Sequence, residues 1–236
     1  MKTKIILFFS LVSVVLFANH APAQKVTYGP TVGLYYDNPV GAVLLDSIQV
    51  VLNGKTARRP YIGAFISYDL TNTFTLTSGL NYYNDATSYL VYNKVVKCDL
   101  CPIVKGGLVA NPSVEIPLLL ETKLKVPVGK VFISTGIIPN VRLRRTTSPY
   151  YYHINAGEGV SDVLPAVKTA VKPVVWTYSL GIGADIWRLR LETRWQHDLA
   201  ESATRPIEVW GQRYSFFSKN STLRIGVGYK LRWKSK

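Results

Sequence analysis

Apolar and polar residues alternate without a break from Leu223 to Trp233. Leu223, Ile225, Val227, Tyr229, Leu231 and Trp233 take the odd positions; Arg224, Gly226, Gly228, Lys230 and Arg232 take the even ones. A period of two places these sets on opposite faces of a β-strand. The run also matches the ~9–11 residues that a tilted strand needs to cross a bilayer. Seven segments upstream repeat the pattern: Val26–Tyr36, Tyr61–Tyr68, Phe74–Tyr82, Val114–Leu124, Val131–Leu143, Val174–Ile186 and Leu189–Trp195. Phe65 interrupts the polar face of the second. The pattern therefore predicts an all-β chain of eight strands.

The connections alternate as well. Leu70–Asn72, Val126–Gly129 and Ile186–Trp187 are hairpin-length links, whereas residues 37–59, 84–112, 145–173 and 199–219 read as long loops. Short turns at one end and long loops at the other describe an eight-stranded antiparallel up-and-down transmembrane β-barrel, with short periplasmic turns and long extracellular loops. A soluble lipocalin-like barrel would alternate too. Glycine separates the two readings. Gly33, Gly63, Gly79, Gly136, Gly181, Gly183, Gly226 and Gly228 all fall on the polar face. In a narrow lumen they make room for large side chains, whereas on a solvated face they would only weaken the strands.

The N-terminus lies outside this scheme. Lys2 and Lys4 precede an apolar run from Ile5 to Ala18, and Ala21–Ala23 has small-x-small spacing. Residues 1–23 read as a cleaved signal peptide and residues 24–236 as one barrel domain. That address is the outer membrane of a Gram-negative cell. Tyr36, Tyr82, Trp176 and Trp195 near the long loops, and Phe74 and Trp233 near the short turns, read as interfacial girdles. The chain carries 28 Lys and Arg against 14 Asp and Glu, a net charge of +14. No nucleic-acid-binding motif accompanies that excess, so the expected partners are outer-membrane lipid and lipopolysaccharide.

Three segments resemble a known family. Pro112–Leu120 contains Glu-Ile-Pro-Leu-Leu-Leu ahead of a short turn, Tyr178–Asp185 reads Tyr-Ser-Leu-Gly-Ile-Gly-Ala-Asp, and Arg224–Leu231 closes the pattern. Together they resemble the Bacteroidota outer-membrane β-barrel families called PorT-like. The resemblance implies an eight-stranded outer-membrane barrel and an accessory role in protein secretion. Members of the family end on an aromatic residue. This chain instead ends Lys234-Ser-Lys236, leaving Trp233 as the signal to the barrel assembly machinery.

Candidate chemistry sits in two places. The polar face gathers Glu115, Glu121, Asp185 and Glu192 with Lys123, Arg142, Arg188, Arg190, Arg194, Arg224, Lys230 and Arg232. Charges in a dry lumen must pair, and Glu192 with Arg194 or Arg224 is the expected network. The cationic majority would bias any leak toward anions. The loops carry a basic rim of Arg58, Arg59, Lys94, Lys97, Arg144 and Arg145, suited to lipopolysaccharide phosphates, a surface glycan or a protein partner. Tyr150–Tyr152 is an aromatic run among them, and Asp46–Ile48 matches a short O-glycosylation sequon at Ser47. Cys98 and Cys101 are expected to form a small structural disulfide outside the cytoplasm; free thiols, redox and metal chemistry are the alternatives. His153 and His197 complete neither a zinc site nor a nucleophile–base pair. The expected function is non-enzymatic binding through the loops, without a cofactor. A lipid A-modifying enzyme and a small anion-leaning pore are the rivals.

Overall fold

The computed structural model describes residues 26–44, 48–52, 57–93, 104–143, 146–148, 166, 172–200, 206–209, 211–215 and 217–232. The signal segment, Ser47, Lys94, Lys97, Cys98, Cys101, Arg144, Arg145, Tyr150–Tyr152, His153 and Trp233 lie outside the described residues.

Eight strands build the wall: β1 (Val26–Leu44), β2 (Ala57–Asp69), β3 (Phe74–Asn93), β4 in two segments (Val104–Glu115 and Leu118–Val126), β5 (Gly129–Arg142), β6 (Val174–Ile186), β7 (Leu189–Asp198) and β8 (Phe217–Tyr229). Each pairs antiparallel with its sequence neighbour, and β1 pairs with β8 to close the ring. Cross-strand partners lead from Val26 through Tyr68, Leu76, Leu120, Thr135, Leu180, Trp195 and Leu223 back to β1 at Tyr36. One circuit thus climbs from position 26 to position 36. With ~3.3 Å per residue and ~4.8 Å between strands, that stagger tilts the strands about 40° from the axis.

The break in β4 has a local cause. Register to both neighbours is unchanged across it: Glu115 faces Asn81 and Asn140, and Leu118 faces Ser78 and Ile137. Pro117 lacks the N–H that the ladder would use there. Ile116 N still donates to Pro139 O at 3.1 Å, and Pro117 is buried toward the lumen.

The turns are tight where the sequence placed them. Ile186 pairs with Leu189, leaving Trp187 and Arg188 as the turn, with Trp187 left-handed at φ 52°. Primed hairpin turns require a positive φ there and favour Gly, Asn or Asp; a tryptophan costs about 1–2 kcal/mol. Thr71 Oγ1 accepts from Thr73 N and Phe74 N at 3.2 and 2.9 Å, closing the β2–β3 turn.

At the other end the strands run past the sequence boundaries. Residues 37–44, 84–93 and 104–112 read as loop, yet β1 pairs with β8 up to Ala42–Phe217 and β3 with β4 up to Tyr92–Val104. The segment Ile48–Leu52 is inserted between β1 and β3 above β2. Beyond the membrane both faces of a strand meet water, so alternation fades while backbone pairing continues.

Polarity is inverted relative to a soluble barrel. Val32, Leu34, Ile62, Ile66, Leu76, Leu80, Leu118, Leu120, Ile133, Leu180, Ile182, Leu191, Ile225 and Val227 point outward and are exposed. Glu115, Glu121, Arg190, Glu192, Arg194 and Arg224 point inward and are buried. Such a wall pairs its strands with one another all round the ring and presents hydrocarbon to its surroundings, which suits lipid and not water.

Candidate functional site: the lumen and its mouths

Inward-facing residues form two layers. The lower one, toward the short turns, is ionic. Lys230 Nζ lies 3.4 Å from Asp185 Oδ2. Lys123 Nζ bridges Asp69, Glu121 and Asp185 at 3.4, 3.6 and 3.9 Å. Arg190 pairs with Glu121 and reaches Glu192 at 3.6 Å and Asp185 at 3.9 Å. Its guanidinium also sits over the Phe132 ring at 4.3 Å and the Phe65 ring at 5.3 Å. Glu192 is the hub, accepting a hydrogen bond from Arg194 at 2.5 Å and pairing with Arg224 at 3.1 Å and Arg190 at 3.6 Å. Both partners named from sequence therefore converge on one carboxylate.

The upper layer is aromatic. Tyr35 and Tyr83 rings lie 4.5 Å apart, and Tyr35 and Tyr61 rings 5.0 Å apart. Tyr35 donates to Glu115 and Asn140 donates to Tyr83. Arg224 links the layers, with its guanidinium 4.1 Å from the Tyr61 ring centroid and its Nη2 3.3 Å from Asn81 Oδ1. At the outward mouth Asp37 takes Arg59 at 3.1 Å and the Thr222 hydroxyl at 2.7 Å. Asp198 accepts from Asn220 N at 2.9 Å.

Between the layers, among the described residues, lies a cavity of about 10 Å³ lined by Thr77, Asn81, Arg190, Glu192, Arg194 and Arg224 among others. That is room for about one water. Among the described residues the lumen is a core of ion pairs and rings.

Several sequence assignments change here. The sequence places Arg59 on the basic rim; in the structure it is 6% exposed, turned inward and paired with Asp37. Parity is the reason, since Arg59 shares the inward face of β2 with Tyr61, Gly63, Phe65 and Ser67. Arg58, its neighbour, is exposed and lies 5.9 Å from the Tyr36 ring centroid. Arg188 belongs to the turn, is exposed and donates to Tyr229 Oη at 3.0 Å. The expected cationic lumen is not present among the described residues. Six buried carboxylates (Asp37, Glu115, Glu121, Asp185, Glu192, Asp198) meet five buried cations (Arg59, Lys123, Arg190, Arg194, Arg224). This near-neutral set removes the physical basis for an anion-leaning leak.

Sequence reasoning missed Asp37, Asp198, Tyr35, Tyr61, Tyr83, Leu119, Phe132 and Ile138 as lumen residues. Extending each strand's parity beyond its hydrophobic run would have found Asp37, Tyr83 and Asp198. His197 Nδ1 lies 2.7 Å from Ser221 Oγ, and its ring stacks on Trp195 at 5.6 Å. Of the expected girdle, Phe74, Tyr82, Trp176 and Trp195 are between 43% and 48% exposed on the outer face.

No protein-family model matches the sequence, and no curated protein matches it. Among solved structures, the chain is similar to the outer membrane protein OprG from Pseudomonas aeruginosa, at 10% identity and TM-score 0.48, covering 88% of this chain and 95% of that one. It is also similar to Ail, the attachment invasion locus protein of Yersinia pestis, in complex with the heparin analogue sucrose octasulfate, at 8% identity and TM-score 0.32, covering 88% and 99%. The translocator domain of the autotransporter NalP from Neisseria meningitidis follows at 11% identity and TM-score 0.26, covering 97% and 96%.

Proposed function

We propose that this chain is a non-enzymatic outer-membrane barrel of a Gram-negative cell that binds its partners through the segments joining the strands at the outward end. One observation carries the reading: an apolar outer wall surrounds a lumen packed with ion pairs and tyrosines. With its interior occupied and its flank in lipid, the barrel is left with its ends to meet other molecules. The basic residues of those segments suit phosphate-bearing lipopolysaccharide or an acidic surface glycan, and an aromatic run such as Tyr150–Tyr152 suits a protein or sugar contact. The finer reading, a PorT-like accessory to protein secretion, is supported by the Glu115–Leu120 motif, whose Pro117 lies in the lumen between the two layers.

Trimming residues 95–102 or 150–165 tests this. The trimmed proteins are expected to assemble normally, seen as an unchanged heat-modifiable shift on gels, while affinity capture of wild-type partners from the native cell is lost. Retention of every partner by both variants would refute binding through these segments. In planar bilayers the intact protein is expected to give no resolved conductance steps; steady channels would restore the pore reading. A changed lipid A mass profile in a deletion strain would favour the enzyme reading.

A further inference from the structure

Among the described residues, the short-turn mouth of the lumen holds more positive charge than its own carboxylates neutralise. Inward parity brings Lys123, Lys125, Lys130, Arg190 and Lys230 to this end. The carboxylates at the same level are Asp69, Glu121 and Asp185. Glu121 is engaged by Arg190 and Lys123, Asp69 by Lys123, and Asp185 by Lys123, Arg190 and Lys230. The excess therefore falls on Lys125 and Lys130. These two face each other across the β4–β5 hairpin, one step before its turn. Like charges directly opposite each other weaken a ladder. Among the described residues no carboxylate pairs with either, and Lys125 is exposed.

An apolar edge adjoins the lysines. The β4–β5 and β6–β7 turns stand side by side: Lys130 pairs with Asp185, and a Cβ on Gly129 would meet the Asp185 carbonyl oxygen at 2.1 Å. Val128 projects from the first turn, 67% exposed, and Trp187 from the second, 85% exposed. Ile186, Leu189 and Tyr229 form the last outward-facing row of this part of the wall, and Trp187 lies beyond it. Trp187 also occupies the left-handed conformation that glycine adopts without strain. A tryptophan held there against its backbone preference offers a rigid ring to an apolar side chain, and the lysines beside it offer two charges to carboxylates.

We propose that this mouth docks an acidic peptide segment of a protein on the short-turn side of the membrane. Carboxylates of the segment meet Lys125 and Lys130, and an apolar side chain lies on Trp187 and Val128. A glycan or a free anion would use the lysines alone; the exposed apolar pair favours a polypeptide. The site is at the opposite end of the barrel from the long connections, and it goes beyond binding through them.

Fluorescence anisotropy tests it, with a labelled peptide of alternating Glu and Leu titrated against the full-length protein in zwitterionic nanodiscs at low salt. Saturable binding is expected, weakening as salt rises. Lys125→Gln with Lys130→Gln should weaken it about tenfold, and Trp187→Gly should do the same by a separate change. Because glycine relieves the left-handed backbone, Trp187→Gly should keep or raise the unfolding midpoint, so its loss of binding would not be a loss of fold. Heat-modifiable mobility verifies the lysine variant. Arg58→Gln, at the outward end, should leave binding intact. Absence of saturable binding, equal binding of a Lys and Leu peptide, equal loss in Arg58→Gln, or retention by both mouth variants would overturn the site. Saturable binding of soluble cell-wall fragments in place of the peptide, unaffected by Trp187→Gly, would overturn it in favour of a glycan. None of these outcomes bears on the loop reading, which the trimmed variants test.

Discussion

Replacing Glu192 by glutamine should lower the barrel's unfolding free energy by about 3–5 kcal/mol, the cost of removing one partner from a buried ionic set. Glu192 is 8% exposed and is approached by Arg190, Arg194 and Arg224, which are 3%, 4% and 1% exposed. Arg190 also has Glu121 and Asp185. Arg194 and Arg224 have no other carboxylate ion pair among the described residues, so the amide leaves two buried cations without an ion-pair partner. The volume is unchanged, and a cavity cannot be the cause. Urea titration in lipid vesicles, followed through the emission of the outward-facing Trp176 and Trp195, should show an earlier midpoint at an unchanged slope. Removing a cation with the anion should recover part of the loss, so the double variant Glu192→Gln, Arg194→Gln is expected to cost less than the sum of the single changes. High salt should leave the effect standing, since a buried set is poorly screened. A shift below about 1 kcal/mol, typical of exposed pairs, would mean that the hub is solvated and the lumen more open than its geometry implies.

That hub was legible in the sequence because strand parity fixes direction. Once Leu191 and Trp195 are assigned outward, Glu192 and Arg194 have only one place to go, and the same parity on β8 brings Arg224. What parity cannot supply is the neighbour across the barrel. Arg190 meets Glu121 from a strand on the far side of the ring, an encounter set by the stagger between Val26 and Tyr36. The apolar lumen residues were obscured for a different reason. Phe65 looked like a fault in β2, and Leu119, Phe132 and Ile138 were invisible inside apolar runs. A narrow lumen lined by glycine needs bulk as well as charge, so hydrophobic side chains on the inward face are filler and not errors of pattern. The strand ends were blurred because alternation records the boundary between lipid and lumen and stops where lipid stops. Arg59 sits at that boundary: read as loop it carries no parity, whereas in the strand it turns toward Asp37.

The glycines of the lumen carry the second large effect, and two that face each other across β1 and β8 should respond differently to the same methyl group. Gly33 pairs with Gly226, and the Tyr61 ring lies against both. A Cβ on Gly226 would stand 2.0 Å from Tyr61 Oη but no nearer than 3.3 Å to any other atom. A Cβ on Gly33 would stand 2.0 Å from the Ile225 carbonyl oxygen and 2.5 Å from Tyr61 Cε1. Gly226→Ala is therefore expected to cost about 1–3 kcal/mol, as overpacking does, and Tyr61→Phe in the same chain should restore most of it by removing the one clashing atom. Gly33→Ala should cost more, with loss of the heat-modifiable folded band at physiological temperature. Tyr61→Phe should not rescue it, because the obstacle is the backbone of β8, whose position the closed ladder fixes. Equal rescue of both alanines would mean that the ring alone sets the fit, and that β1 and β8 have more freedom to separate than their continuous register allows.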